Sequence, residues 1–314
     1  MKAIVINSYG PPDVLQEANI AIPAAGPKQL LIEVKAAGVN PIDWKIRKGN
    51  FRFITGRRFP KILGTDIAGI VKETGKNITD FQAGDAVMAM ANVMTGQGGY
   101  AEFAVTNGKY TCRKPENLSF VEAAAVPGSA ITALQVLRSK VHLKKGRHIL
   151  INGASGGVGT YGVQIAKILG ASVTAVCSGR NKDLVTALGA DRVIDYTGED
   201  FTRQDQSYDV IFDAVGNLEF AGCKRVLAAG GTFITIVPDV KKIVRSLFSA
   251  LLPGRKCRFA SAMPNKGDLL WLQEKIEEER LRVVLDRTYP LEQAIAAHEY
   301  MEKGHARGKV VLTV

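Results

Sequence analysis

Residues 148–169 read His148-Ile-Leu-Ile-Asn-Gly153-Ala-Ser-Gly156-Gly157-Val-Gly159-Thr-Tyr-Gly-Val-Gln-Ile-Ala-Lys167-Ile-Leu169. An apolar run enters a glycine-rich turn, and a helical pattern follows, carried by Val163, Ile165, Ala166 and Leu169. Glycine allows a tight turn and a close backbone approach to a pyrophosphate. A helix opening there offers unpaired N–H donors and partial positive charge to an anion. Glycines three apart are weak evidence alone, since many turns are built that way. Strand, turn and helix in this order point to a dinucleotide, the competing reading being a purely structural turn. The next strand selects the dinucleotide. NAD sites place an Asp or Glu about 20 residues on, to accept the ribose 2′-hydroxyl. Here Ser172–Cys177 runs into Ser178-Gly-Arg180-Asn181-Lys182, with no acid at the tip. A carboxylate would repel a 2′-phosphate, whereas Ser and Arg hydrogen-bond it, Arg through a charge-assisted fork. NADP(H) is the expected cofactor; the alternative is that Arg180 only begins the next helix in solvent.

Such a turn needs a parallel sheet to carry it. From Ser119 the sequence supplies one, with strands expected at 148–152, 172–177, 192–195, 210–213 and 232–236. Helices are expected between them at 157–169, 182–188 and 219–227, as right-handed βαβ crossovers require. Ser119 with Glu122 forms a capping box that opens a helix through about Arg138. Residues 1–118 differ: short β-type runs at 28–35, 67–72, 85–90 and 100–105 alternate with Gly and Pro turns, as in an antiparallel all-β unit. After about 265 come a charged helix (267–280), a strand (282–286), a helix (291–303) and a last strand (309–314). The expected organisation is α/β: a doubly wound parallel-sheet nucleotide domain, 119–265, interrupting a β-rich domain formed by 1–118 and 266–314. The length of 314 residues suits two domains.

Several segments then resemble one family closely. They are Gly38-Val-Asn-Pro-Ile-Asp-Trp-Lys-Ile-Arg-Lys-Gly49, Leu63-Gly-Thr-Asp-Ile-Ala-Gly69, Ala83-Gly-Asp-Ala-Val87, Gly99-Tyr-Ala-Glu102, the 153–159 turn, Val193-Ile-Asp-Tyr196, Asp213-Ala-Val-Gly216 and Gly308-Lys-Val-Val311. Nearly end to end, the chain resembles the zinc-free quinone oxidoreductase (zeta-crystallin-like) branch of the medium-chain dehydrogenase/reductase superfamily. Residues 40–49 and 178–183 are most similar to the chloroplast-envelope quinone oxidoreductase-like and alkenal/enone reductases. The resemblance implies a GroES-like catalytic domain, a Rossmann NADP(H) domain and hydride transfer to a quinone or an α,β-unsaturated carbonyl. It also allows a non-catalytic NADPH-binding role on the same scaffold, and implies a homodimer.

For the site, the resemblance places Asn40 and Lys45 at the nicotinamide end of a cleft, as donors to the carbonyl oxygen on which charge develops. Asp43 would cap or orient their segment, and water would supply the proton. Asn40 has the competing reading of a turn residue before Pro41, and Lys45 that of a solvated helix face. Thr132 would lie near the carboxamide, and Ser155, Gly156, Gly157, Val158 and Gly159 at the phosphates. Ser178, Arg180 and Asn181 would hold the 2′-phosphoadenosine, with Tyr196 beside the adenosine or simply packed at a strand end. Phe259 and Lys309 are candidates to complete the cleft from the domain junction. The family's alcohol dehydrogenases carry a catalytic zinc on a Cys and a Gly-His-Glu segment. Here those places read Asn40 and Gly64-Thr65-Asp66, so no metal is expected.

Charge is the remaining feature: 41 Lys+Arg against 30 Asp+Glu gives +11. Six cations and no acid fall between Lys241 and Arg258, with Ile243, Val244, Leu247, Phe248, Leu251 and Leu252 at helical spacing. A peripheral contact with an anionic membrane surface competes with a helix that packs its apolar side and solvates its basic one. No helix-turn-helix, RNP or zinc motif accompanies the charge, so nucleic acid is not an expected partner. Residues 50–60 form an aromatic-basic segment readable as a substrate rim or as an exposed loop. Four scattered cysteines with no CxxC pair, and no apolar run long enough to span a bilayer, suggest a soluble protein of a reducing compartment, the cytoplasm.

Overall fold

In the computed structural model, which describes residues 1–238, 246 and 254–314, the chain divides into two units. One comprises Met1–Ile131 with Pro264–Val314, the other Thr132–Met263. The first unit holds strands β1 (Lys2–Ile6), β2 (Leu15–Asn19), β3 (Gln29–Val39), β4 (Lys61–Ile62), β5 (Asp66–Thr74), β6 (Ala86–Met90), β7 (Phe103–Asn107) and β8 (Thr111–Arg113). The second holds β9 (His148–Asn152), β10 (Ser172–Cys177), β11 (Arg192–Asp195), β12 (Tyr208–Asp213), β13 (Leu227–Thr235) and β14 (Lys256–Phe259). The chain then returns to the first unit with β15 (Leu285–Pro290) and β16 (Lys309–Thr313).

The first unit's main sheet runs β15-β16-β3-β5-β6-β8, with β7 also paired to β3. Residues of β3 alternate between buried and partly exposed from Ile32 to Ala36, the period of a strand with one buried face. Two pairings at its far end matter most. Antiparallel β16 sets Val310 opposite Val39, and antiparallel β5 sets Asp66 opposite Gly38. The next residues, Lys309 and Asn40, therefore arrive beside Asp66 although 243 and 26 positions separate them from it. Asn40 leads into the short helix α1 (Pro41–Arg47), whose first position is a proline with its φ already helical. Ile46 of α1, together with Val39, Leu63, Ile67, Val310 and Leu312, belongs to the apolar core of this unit.

The second unit is a six-stranded parallel sheet in the order β11-β10-β9-β12-β13-β14. The order reverses direction between β9 and β12, and ligands of such sheets bind outside the carboxyl ends of the strands at that point. Helix α5 (Gly157–Ile168) follows β9 directly and is buried along Gly159–Ala166. Leu150, Val176, Ile194, Ile211 and Phe233 supply the centre of the core.

The structure departs from the sequence-based expectations at several places. The long helix expected from Ser119 to Arg138 is broken: the capping box opens only Phe120–Ala124. Pro127, which has no N–H for a continuing helix, starts a second helix (Pro127–Leu134) that ends in a π-helical stretch (Gln135–Lys140). The units divide at Ile131/Thr132 rather than at 118/119, because Phe120–Ala124 packs on β3 and β5. The helix expected over 219–227 is one turn, Phe220–Cys223, and Leu227 already begins β13. The strand expected at 282–286 lies at 285–290, and β14 has no counterpart in the sequence reading. Most of the basic amphipathic segment at 241–258 lies outside the described residues. Among the described residues no helix is long and apolar enough to cross a membrane.

Arg47 is fully buried, and its Nη2 donates to Glu302 at the end of the helix Ala294–Glu302. Removing the carboxylate leaves a desolvated guanidinium without its counterion. Glu302→Ala is expected to destabilise the first unit by about 2–3 kcal/mol, read as a lower unfolding midpoint. Dinucleotide affinity should be unchanged; an unaltered midpoint would mean that Arg47 is satisfied elsewhere.

Candidate active site

Asn40 is the N-cap of helix α1, and its side chain also reaches partners outside that helix. The cap is closed by backbone and by Asp43: Asn40 N–H donates to Asp43 Oδ2 at 2.8 Å, and Asp43 N–H to the Asn40 carbonyl at 3.0 Å. This leaves the Asn40 amide for other work. Its Nδ2 donates to Asp66 Oδ2 at 2.9 Å, and its Oδ1 accepts from Lys309 Nζ. Lys309 Nζ also donates to Ser129 Oγ at 3.1 Å and to Asp66 Oδ2 at 3.4 Å. Asp66 Oδ1 accepts from the Gly128 N–H at 2.8 Å, where a Cβ on residue 128 would come within 2.8 Å of that oxygen. Asn40 is 7% exposed, Lys309 2% and Asp66 fully buried. Burying a charge of either sign is costly, so the ammonium and the carboxylate are each other's condition for being there.

Asp43 forms a second buried cluster alongside. Its Oδ1 accepts from Gly64 N–H (3.2 Å), Thr65 N–H (3.1 Å) and Thr65 Oγ1 (2.9 Å). Tyr100 Oη donates to its Oδ2 at 3.5 Å and lies 3.2 Å from His298 Nε2. Burial pushes the Asp43 carboxyl up to about 7, against the hydrogen bonds from Asn40 and Thr65 that favour its charged form. Burial likewise takes His298 down to about 3, helped by the Arg47 charge, and Tyr100 well above its ordinary value. His298 is therefore a neutral core histidine, and Asp43 orients the segment that carries Asn40.

Lys45, the second donor expected from the sequence, takes no part in the hydrogen bonds that hold the two clusters. It is half-buried on α1, its Nζ 5.5 Å from the centre of the Trp44 ring, and burial lowers its pKa. Residues 52–58 carry exposed Phe53 and Ile54 between Arg52, Arg57 and Arg58.

In the second unit the glycine turn has the geometry its residues imply. Gly153 adopts φ +77°, and both Gly153 and Ala154 donate to the Val176 carbonyl. A Cβ on Gly159 would lie 2.1 Å from the Gly153 carbonyl oxygen, so only glycine closes this turn against the helix. Gly156 caps α5 and offers no side chain over the helix end, while Gly156, Gly157 and Val158 remain partly exposed. Asn181 is buried, and its Nδ2 reaches Ser155 Oγ at 2.9 Å and Ser178 Oγ at 3.3 Å. The structure thus joins three of the expected cofactor residues, and Asn181 Oδ1 is a buried acceptor with no protein partner among the described residues. Arg180 is exposed one position earlier. Tyr196 is 56% exposed, so it does not pack at the strand end. Thr132 is half-buried at the start of this unit's chain. Asp195, at the tip of β11, accepts from Thr197 N–H (3.0 Å) and Oγ1 (2.8 Å) and from the backbone of Gly179. On β12, Asp213 Oδ1 ties down the following loop through Val215 and Gly216 N–H and accepts from Asn152 Nδ2 at 3.0 Å. The open helix end, the Cβ-free cradle and the orphaned Asn181 acceptor fit a dinucleotide.

A GroES-like β unit interrupted by a doubly wound parallel sheet is the architecture of the medium-chain dehydrogenases and reductases. A family model described as "Alcohol dehydrogenase GroES-like domain" matches residues 26–116, and one described as "Zinc-binding dehydrogenase" matches residues 188–312. A chloroplast envelope quinone oxidoreductase homolog of Arabidopsis thaliana is 36% identical, over 99% of this chain and 98% of its own length. An NADPH-dependent alkenal/one oxidoreductase, also chloroplastic and from Arabidopsis thaliana, is 35% identical, over 99% of this chain and 79% of its own. The solved structure of the quinone oxidoreductase from Coxiella burnetii has a TM-score of 0.93 and 33% identity, covering 100% of this chain and 99% of that one. The chain belongs to the quinone oxidoreductase-like branch of the medium-chain dehydrogenase/reductase superfamily.

The zinc implied by the second family description does not fit the residues present. At the places where the resemblance locates ligands, Thr65 stands at the histidine and gives its hydroxyl to Asp43, while Asn40 and Asp66 are already engaged by the Lys309 ammonium. A dication on those oxygens would face a positive charge at contact distance, with neither thiolate nor imidazole to offset it. Among the described residues no cluster of three or more His, Cys, Asp or Glu side chains has metal-binding geometry. The partners that hold Asn40 had little signal in the sequence: Asp66 stood only within a segment that lacks the zinc ligand, Lys309 was only a candidate for completing the cleft, and Ser129 was not singled out. What joins them is strand register.

Asp43 gives the site a pH dependence with a definite sign. A carboxyl raised from 3.8 to about 7 contributes most stability at low pH and loses it as pH rises through about 7. The stability of the wild type relative to Asp43→Asn, measured by denaturant unfolding, should fall from about pH 4 to about pH 7 and then level off. A flat difference would mean that Asp43 titrates as an ordinary carboxyl.

Proposed function

We propose that the protein is an NADPH-dependent, metal-free reductase that delivers hydride to a quinone or to the activated C=C bond of an enone or alkenal. The observation that carries this reading is the buried Asn40–Lys309–Asp66 lock, which presents a neutral hydrogen-bond donor where a zinc dehydrogenase presents a Lewis acid. The names of the relatives, quinone oxidoreductase and NADPH-dependent alkenal/one oxidoreductase, support the same substrate class.

The nicotinamide, when bound, supplies the hydride. Residues Gly156, Gly157, Val158 and Gly159 would hold the pyrophosphate through backbone N–H groups at the start of α5, with Ser155 behind them. The Ser178–Asn181 segment would take the 2′-phosphoadenosine, Asn181 fixing Ser155 and Ser178 while exposed Arg180 supplies charge. Tyr196 would lie over the adenosine and Thr132 by the carboxamide. Asn40 would donate to the acceptor's carbonyl oxygen as hydride arrives at carbon and the electron pair moves to oxygen, and solvent would then protonate the product. Lys45, separate from the Asn40 lock, would contribute positive charge toward that oxygen. The cysteines, all buried as thiols, suit a reducing compartment such as the cytoplasm. A homodimer is the proposed assembly.

The reading is tested by following NADPH oxidation by absorbance against a panel of quinones, alkenals and enones, with and without a strong chelator. Turnover with at least one acceptor, unaffected by the chelator, is expected. No turnover alongside tight NADPH binding would make the chain a non-catalytic binding protein. Arg180→Ala should raise KM for NADPH at least about tenfold while changing that for NADH less than about twofold, since one charge-assisted phosphate contact is lost. An equal effect on both cofactors would remove Arg180 from the 2′-phosphate.

A further inference from the structure

We propose that Lys309 and Asp66 are positioning residues that lock the Asn40 amide in one orientation and leave it a single N–H for the acceptor's carbonyl oxygen. The proposal rests on the reductase reading above. An ammonium can only donate hydrogen bonds and a carboxylate without a proton can only accept them. Lys309 Nζ at one end of the amide therefore requires oxygen there, and Asp66 Oδ2 at the other requires nitrogen. A half-turn of the amide would set N–H against ammonium and carbonyl against carboxylate, so both contacts would become repulsive. With Oδ1 occupied and one Nδ2 hydrogen given to Asp66, one N–H remains.

The lock is itself fixed from outside. Ser129 Oγ takes another of the Lys309 N–H donors at 3.1 Å, and the Gly128 N–H holds the second oxygen of Asp66 at 2.8 Å. All three donors of Lys309 are directed at protein acceptors, Asn40, Ser129 and Asp66, so Lys309 is placed as a fixed charge and not as a proton donor. An ammonium on Oδ1 also polarises the amide toward a stronger N–H, and it does so in a site with little water. Such a site favours an acceptor that brings an oxygen lone pair. A conjugated carbonyl or quinone satisfies the N–H, and an alkene activated by a group without an acceptor oxygen does not.

A double-mutant cycle between Lys309→Met and Asn40→Ala, with NADPH affinity measured separately by fluorescence titration, tests this. Lys309→Met should lower kcat about 10- to 100-fold and change NADPH affinity less than about twofold. In the Asn40→Ala background the same change should cost less than about threefold, because the group it acts through is gone. Equal losses in both backgrounds, or no loss in the first, would overturn the proposal; so would an Asn40→Ala variant that keeps full kcat. Lys309→Met leaves Asp66 as an unpaired buried charge; if that variant fails to fold, Asp66→Asn with Lys309→Met removes both charges, and the cycle is run with that pair in place of Lys309→Met under the same criteria. Absence of turnover in the wild type would instead strike the reductase reading, which keeps the two failures distinct.

Discussion

One end of one sheet sets the chemistry of the first unit. Strand β3 is paired on one side by β16 and on the other by β5, and the two registers bring Lys309, Asn40 and Asp66 to the same level. A slip of one residue in either pairing would turn a charged side chain to the opposite face and leave its partner buried alone. The ion pair and the register therefore enforce one another. The apolar residues that follow, Val310 and Leu312 against Val39 and Ala37, are core positions that allow no other alignment. Packing supplies the stability, and the buried charges make the wrong alignment costly.

The two units solve opposite problems. The dinucleotide seat must attract an anion that arrives hydrated, so it is built from backbone N–H groups, glycines and a helix end that stay partly exposed. The Asn40 cluster holds one amide in place with side chains that are almost completely buried, which suits the neutral donor proposed there. Asp43 serves that second purpose from another direction. By binding the N–H groups of Asn40, Gly64 and Thr65 it joins α1 to the loop before β5. Its oxygens also free the Asn40 side chain from capping its own helix.

The second unit was far more legible in the sequence than the first. Strand, glycine turn and helix are contiguous there, so Gly153–Gly159 and the Ser178–Asn181 tip announce themselves by local spacing. The elements of 148–195 come out nearly as the pattern implies, because each βα step is short and its period unambiguous. The Asn40 lock is the opposite case. Its members come from four distant points of the chain, and only long-range pairing makes them neighbours. Asn40 and Asp66 were visible as departures from a metal-binding pattern, which says what is missing and not what replaced it. Lys309 was visible as a residue of a closing strand and a candidate at the domain junction, but its contact with Asn40 was not. The broken helix after Ser119 was missed because Pro127 is as compatible with a helix start as with a helix interruption, and only packing on β3 and β5 decides.

The exchange of a metal for this cluster also restricts the direction of useful chemistry. Oxidising an alcohol requires a group that binds a hydroxyl and takes its proton, and a metal-bound alkoxide does both. Asn40 cannot take that proton, since an amide is not a base and its oxygen already faces the Lys309 ammonium. Asp43 is no substitute, with its oxygens facing backbone and side-chain donors in the core. What the cluster offers is a donor without an acceptor, which stabilises an oxygen only after charge begins to build on it. Hydride addition to a conjugated carbonyl or a quinone creates that charge, and the reverse reaction begins from a group the cluster has no means to deprotonate. In the proposed reading, one amide fixed by an ammonium and a carboxylate suits the reduction of oxygen-bearing acceptors better than the oxidation of alcohols.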